Sequence, residues 1–322
     1  MPVTAALTEV DVAPDFSPET VEMERNVLTT LLYYDIWRHP LTTRELFAFH
    51  PTNSLTLEEF KKQLDAIARG PSIQTDGDYY FVRRGSDAAS ELRKKRERAA
   101  AALWRMAHVS AAIIKRFPFV RGVFVSGDLS KNSAGKNSDI DFVILTAPGR
   151  LWICRACLIL FKKIFLLNRK KYFCLNYFLS TDNLAQENRN FFIATELAHL
   201  KPLHNRRLYL DLLAANSWMK DLFPNFDPSL MFSTRCNDRG RIIRTLLELG
   251  FRLLPADRID DFLHQTMQRI WARRYPHVDP VTRERIFRST KRESRTFVGD
   301  FQQKILAGYM LKLAEFGVER AR

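Results

Sequence analysis

The sequence predicts an α+β fold with helices at both ends and a mixed sheet between them. Three observations carry this. Three helical runs and a hairpin signal come before residue 85. Apolar runs of strand length then alternate with a helical run between residues 118 and 181. Beyond Thr181 only helical periodicity recurs.

Met1 to Thr20 has neither the basic start nor the apolar core of a signal peptide, and is expected to be a loose tail. From Val21, "VEMERNVLTTLLYYDIW" sets Leu28, Leu31, Leu32 and Ile36 at helical spacing, and Pro40 ends the run. Thr42-Thr43-Arg44-Glu45 is a capping box, in which hydroxyl and carboxylate each satisfy an orphan amide. Thr56-Leu57-Glu58-Glu59 is a second, opening a helix that Gly70 closes. Asp76-Gly77 then marks a hairpin turn inside "SIQTDGDYYFVRR". Three helices and a hairpin are the order of a winged helix. Its third helix carries Lys61, Lys62 and Gln63, which suit phosphates and bases, but also Glu58, Glu59 and Asp65. Nucleic-acid binding and packing against a protein partner both fit.

Ser86 to Phe117 reads as one long helix, with "RKKRER" as a solvated face rather than a targeting tag. Pro118 ends it. "FVRGVFVSG" and "DIDFVIL" follow as buried strands, Pro148-Gly149 as a turn, and "YFCLNYFL" (172–179) as a third strand. The apolar stretch from Leu151 to Leu167 is interrupted by Arg155, Lys162 and Lys163. It is too short and too charged to span a membrane and is expected to be a core helix. Five helical segments complete the chain, with basic residues running from Arg273 through Arg283 and Arg285 to Arg295. The expected units are a tail (1–20), a winged-helix-like unit (21–85), a connecting helix (86–117), a central α/β unit (118–204) and a helical C-terminal region (205–322).

The chain has 322 residues, enough for a sizeable core, and 50 Lys+Arg against 36 Asp+Glu, a net charge of +14. That surplus favours polyanionic partners such as RNA, DNA or phosphate-bearing small molecules. Cys154 and Cys157 have a metal-like spacing that no second pair answers. They are expected to be buried thiols, and free thiols fit a reducing cytoplasm.

Chemistry concentrates in "FVSGDLSKNSAGKNSDIDFVIL". Residues two apart on a strand share a face, so Asp139 and Asp141 are expected to project together, with Val143 and Leu145 continuing their face. Unpaired, two such acids raise each other's pKa; a divalent cation removes that penalty, and carboxylate oxygens suit Mg²⁺ or Mn²⁺. Upstream, Gly127 permits a close backbone approach, and Ser126, Asp128, Ser130 and Lys131 surround it with donors and charge. The bland alternative is a strand end with two solvated acids.

Through these residues the segment resembles the nucleotidyltransferase domain of the DNA polymerase β superfamily. That pattern is a Gly-Ser or Gly-Gly turn, a spacer, then Asp-hydrophobic-Asp-hydrophobic. A bacterial branch of the superfamily with the elements "SGDLSK", "SDID", "GRLW", "YFC-N-F" and "F-ATEL" is more similar still. The superfamily motif covers Gly127 to Asp141, and the branch resemblance runs loosely from Leu31 to Leu203. The resemblance implies a mixed-sheet nucleotidyltransferase core that uses Mg²⁺ and a nucleoside triphosphate to move a nucleoside monophosphate onto an acceptor hydroxyl. It implies Asp139 and Asp141 as metal ligands, and the turn at Ser126, Gly127, Asp128, Ser130 and Lys131 as the nucleotide site. Two positions depart from the pattern. Asp128 stands where the superfamily has Ser or Gly, and Asn176 stands at the place of a third catalytic carboxylate, for which Asp182 or Glu187 are substitutes. These departures motivate a second expectation: a catalytically degenerate nucleotide- or nucleic-acid-binding regulator.

Overall fold

A computed structural model describes residues 17–52, 54–83, 88–135, 137–168, 171–231, 241–295 and 301–318. Most of the expected tail, Cys236, and the side chains of Arg283 and Arg285 lie outside the described residues. The first helix, α1 (Pro18–Asp35), starts three residues earlier than the periodicity suggests. Ser17 caps it by accepting from Thr20 N, and Pro18 occupies the first turn, where a missing amide costs nothing. Both capping boxes form, at the starts of α2 (Thr43–Ala48) and α3 (Leu57–Ile67). A two-stranded antiparallel hairpin, β1 (Ile73–Thr75) and β2 (Tyr80–Val82), follows. Gly77 sits in its turn at a φ of 95°, and Asp76 Oδ1 accepts from the amides of Asp78 and Tyr79.

The long helix α4 (Ala88–Ile114) leads into the sheet. Its basic run is the expected solvated face only in part: Lys95 and Arg98 are exposed, whereas Arg93 is not. Arg93 is buried, with Nη2 2.9 Å from Glu45 Oε1 and Nε 2.7 Å from Glu97 Oε1. Its Nη1 donates to the carbonyl of Pro40 at 2.8 Å and also contacts His39 Nε2. Arg96 reaches the carbonyl of Trp37, and Lys94 pairs with Asp76 and Asp78. Arg93, Lys94 and Arg96 thus tie α4 to the loop after α1, to Glu45 of α2 and to the hairpin turn.

The central elements are β3 (Val120–Ser126), the single turn α5 (Gly127–Ser130), β4 (Asp141–Thr146), α6 (Leu151–Phe165) and β5 (Cys174–Ser180). Then come α7 (Phe191–His199), β6 (Lys201–His204), α8 (Arg206–Ala215), α9 (Met219–Leu222), α10 (Arg241–Arg252), α11 (Ala256–Arg274), α12 (Pro280–Phe287), β7 (Glu293–Arg295) and α13 (Phe301–Glu315). The sheet order is β6-β3-β4-β5-β7. β4 and β5 are parallel, joined across the sheet by α6, and the other pairs are antiparallel. The architecture is therefore α+β with a mixed five-stranded sheet. Both edge strands lie beyond Thr181, where the sequence shows only helical patterning. Each has three or four residues, too few to display an alternation, and each takes its register from its neighbour.

Side-chain alternation divides the core. Phe124, Val143, Leu145 and Leu179 face a cluster that includes α1, α7, α8 and α13. Val123, Val125, Phe142, Ile144 and Phe178 face α4, α6 and α11. Tyr33 of α1 meets Phe191 of α7 and Tyr309 of α13 edge-on at 4.8 and 5.3 Å, so the two ends of the chain share one core. On the other face Arg155 of α6 is buried among Trp152, Phe178 and Trp271, and its Nε donates to Ser294 Oγ of β7 at 3.1 Å. Burial brings its pKa down to about 10. Cys154 and Cys157 are free thiols on α6, and burial raises the pKa of each. No described helix is long and apolar enough to cross a membrane.

Candidate active site

Strand β3 delivers the chain to Ser126, and Gly127 turns it at a φ of +65°, a region that favours glycine. A Cβ built at Gly127 would stand 2.7 Å from Asp141 Oδ2. The register explains the proximity, since Ser126 is paired with Asp141 across β3 and β4. Gly127 therefore has two reasons to be glycine: its backbone angle and the carboxylate against it. Gly127→Ala is expected to displace the Asp141 carboxylate and cost roughly 1–3 kcal/mol of stability. A matched urea titration and ligand-binding assay would check it, with binding lost by more than the stability change accounts for.

Asp141 opens β4, and Val143 continues its face. Asp139 precedes the strand, and Ile140 between them is buried and tied by backbone bonds to Lys171 and Cys174. Asp141 Oδ1 accepts from Asn176 Nδ2, and Asn176 Oδ1 accepts from Cys174 Sγ at 3.1 Å. Burial pushes the pKa of Asp141 up to about 6, with the nearby charges of Asp139, Asp128 and Glu196 acting in the same direction. The Cys174 thiol is pushed up to about 12 by burial and by Asp141.

A cavity of about 850 Å³ opens beside this carboxylate. Ser126, Gly127, Asp128, Lys131, Asp141 and Asn176 line it. Of the remaining sequence candidates, Ser130 is buried, its hydroxyl donating to the Gly127 carbonyl at 2.8 Å, and it braces the turn rather than facing the cavity. Asp139 is not part of the lining, and acts on Asp141 through its charge. Asp128 is exposed and accepts from Ser138 Oγ at 3.4 Å, while Lys131 Nζ lies 2.7 Å from Glu196 Oε1. Of the two substitutes for a third carboxylate, Glu187 lines the cavity and pairs with Arg288, whereas Asp182 pairs with Arg292 and does not line it.

Sequence reasoning missed several contributors, among them Arg189, Glu196, Arg288 and Arg295. Glu196 lines the cavity from α7. Its signal was present as the one acid in "FFIATELAHL", a helix otherwise mostly buried. Arg288 and Arg295 also line it, held around Glu293 at 2.9 and 3.0 Å, with Tyr177 Oη donating to Glu293 at 3.1 Å. No local pattern announces them, because β7 brings them to the sheet edge. The cavity wall thus carries the carboxylates of Asp128, Asp141, Glu187 and Glu196 together with Lys131, Arg189, Arg288 and Arg295.

Around Asp141 the wall offers oxygen donors of like charge next to open space, which is the donor chemistry of Mg²⁺ or Mn²⁺. Asp141 and Asp128 line that space, and the like charge that Asp139 and Asp128 bring to bear on Asp141 is what a hard cation would relieve. Among the described residues no cluster of three or more His, Cys, Asp or Glu forms a ready-made metal cage, so phosphate, water and the Asn176 amide would complete any shell. Comparisons with protein-family models, with curated proteins and with solved structures find no match for this chain.

Proposed function

We propose that the protein is a Mg²⁺-dependent nucleotidyltransferase that moves a nucleoside monophosphate from a nucleoside triphosphate to an acceptor hydroxyl. The observation that carries this reading is the close approach of Gly127 and Asp141, which sets a carboxylate against a backbone turn in the wall of a large cavity. Asp141 and Asp128, which line the cavity, are the residues that would hold the ion, with Asp139 adding its charge from outside the lining. When bound, Mg²⁺ neutralises the triphosphate and favours deprotonation of the attacking hydroxyl. The chain's own residues bind and orient. The Gly127 turn leaves room for phosphate against the backbone, and Lys131, Arg288 and Arg295 supply positive charge around the cavity. The acceptor oxygen bonds to the α-phosphorus, the bond to the β-phosphate breaks, pyrophosphate leaves, and the hydroxyl proton passes to the carboxylate cluster.

The three helices and hairpin of residues 18–82 form, in this reading, a winged-helix unit that presents the acceptor. Lys61, Lys62 and Gln63 are exposed on α3, which suits RNA or DNA, and a protein partner is the alternative acceptor carrier. The free thiols of Cys154, Cys157 and Cys174 support a cytoplasmic setting.

One observation favours a second reading, a degenerate nucleotide- or nucleic-acid-binding regulator. Asn176 occupies the third-carboxylate position and engages an oxygen of Asp141. Labelled triphosphates with Mg²⁺ or Mn²⁺, offered to cellular RNA and protein, separate the two. Covalent label with pyrophosphate release supports transfer. Salt-sensitive duplex binding without label, unchanged when both aspartates are removed, supports the regulator.

A further inference from the structure

We infer that the protein pairs with a second copy of itself through helix α10. Arg244, Glu248 and Phe251 fasten this helix to the body. Glu248 accepts from Phe119 N at 2.8 Å and pairs with Arg121 at 2.7 Å; Arg244 donates to the Val120 carbonyl at 2.9 Å; Phe251 packs on Phe119 with ring centroids 5.4 Å apart. Among the described residues the opposite side has no such support. Ile242, Leu246, Leu249 and, just past the helix, Leu253 form one stripe at helical spacing, with Ile243, Leu247 and Leu254 beside it. These seven side chains are between 46% and 89% exposed. Together they offer on the order of 800 Å² of contiguous surface, the amount each partner contributes to a stable interface. Isolated exposed leucines need no explanation, but a continuous patch of this size does.

A second copy is the occupant that one stripe can satisfy on both sides, since a twofold contact lays the same surface against itself. Gly250 supplies an independent reason. It lies on the exposed part of α10 next to the apolar stripes, and glycine weakens a helix interior. Among the described residues nothing requires it, because an added Cβ would meet no atom within 4 Å. A helix from a partner crossing close to the backbone at this point does require it. The proposal is separate from the transferase reading. α10 packs against the start of β3 at Phe119–Arg121, whereas Ser126 and Gly127 lie at that strand's other end.

The test is the mass of the full-length chain in solution by sedimentation equilibrium, with three variants. The wild type is expected as a dimer with a dissociation constant in the micromolar range. Leu246→Glu with Leu253→Glu is expected to be a monomer with unchanged far-UV circular dichroism. Gly250→Ala separates interface from helix: as a helix substitution it raises the melting temperature of the monomeric double variant, while in the wild-type background it weakens dimerisation at least about tenfold. A wild type that stays monomeric at high concentration overturns the proposal. So does a dimer that survives the double glutamate substitution. A monomer that instead co-sediments with phosphatidylserine vesicles, and loses this in the double variant, overturns it in favour of a membrane surface. Loss of dimerisation with pyrophosphate release retained, or the reverse, tells the failure of one proposal from the failure of the other.

Discussion

Replacing Asp141 with asparagine is expected to remove Mg²⁺-dependent pyrophosphate release by at least about 10²–10³-fold, the loss typical when one charge-stabilising group is deleted from an active site. The fold should survive, and the physical reason is the elevated pKa. The carboxyl titrates near 6 in the folded chain against an ordinary value of 3.8. A folded-state pKa above the unfolded one means that the folded chain binds more protons between these values. The metal-free protein therefore loses stability as pH rises through this window, and above about 6 the ionised carboxylate is a standing cost. Asparagine keeps the shape and deletes that cost. In chelator, at neutral pH, the melting temperature of Asp141→Asn should equal or exceed that of the wild type. Asp139→Asn should also abolish release, since its charge belongs to the same cluster. Full activity in both variants would remove the transferase reading. Unfolding of Asp141→Asn would show the residue to be structural.

Arg93→Ala is expected to destabilise the fold severely, by roughly 3–5 kcal/mol. Its guanidinium is 3% exposed and serves Glu45, Glu97 and the Pro40 carbonyl at once. Deleting it leaves the half-buried Glu45 without its cation, and Glu45 is also the acceptor in the capping box of α2, through Thr42 N at 2.9 Å. Loss of the arginine thus reaches the helix start as well as the α4 contact. Arg93→Lys should recover little, because a point charge cannot hold two carboxylates and a carbonyl in separate directions. Equilibrium urea unfolding of the three proteins measures both statements. An Arg93→Ala midpoint near that of the wild type would mean that the network is marginal to the fold.

The sequence by itself determined the features whose information is local. Both capping boxes were legible because Thr and Glu three residues apart interact within one turn. The two faces of β4 were legible because alternation assigns Val143 and Leu145 to one cluster and Phe142 and Ile144 to the other. The glycine at 127 was legible as a turn, though not as the wall against Asp141. Only the tertiary structure decided the rest. It buried Arg93, added β6 and β7 at the sheet edges, left Asp139 outside the cavity lining, and brought Glu196, Arg288 and Arg295 into it. Tyr177 and Glu293 meet across 116 residues of chain. A contact of that kind is fixed by how whole elements stack, and the spacing of residues within one segment carries no record of which distant segment will lie against it.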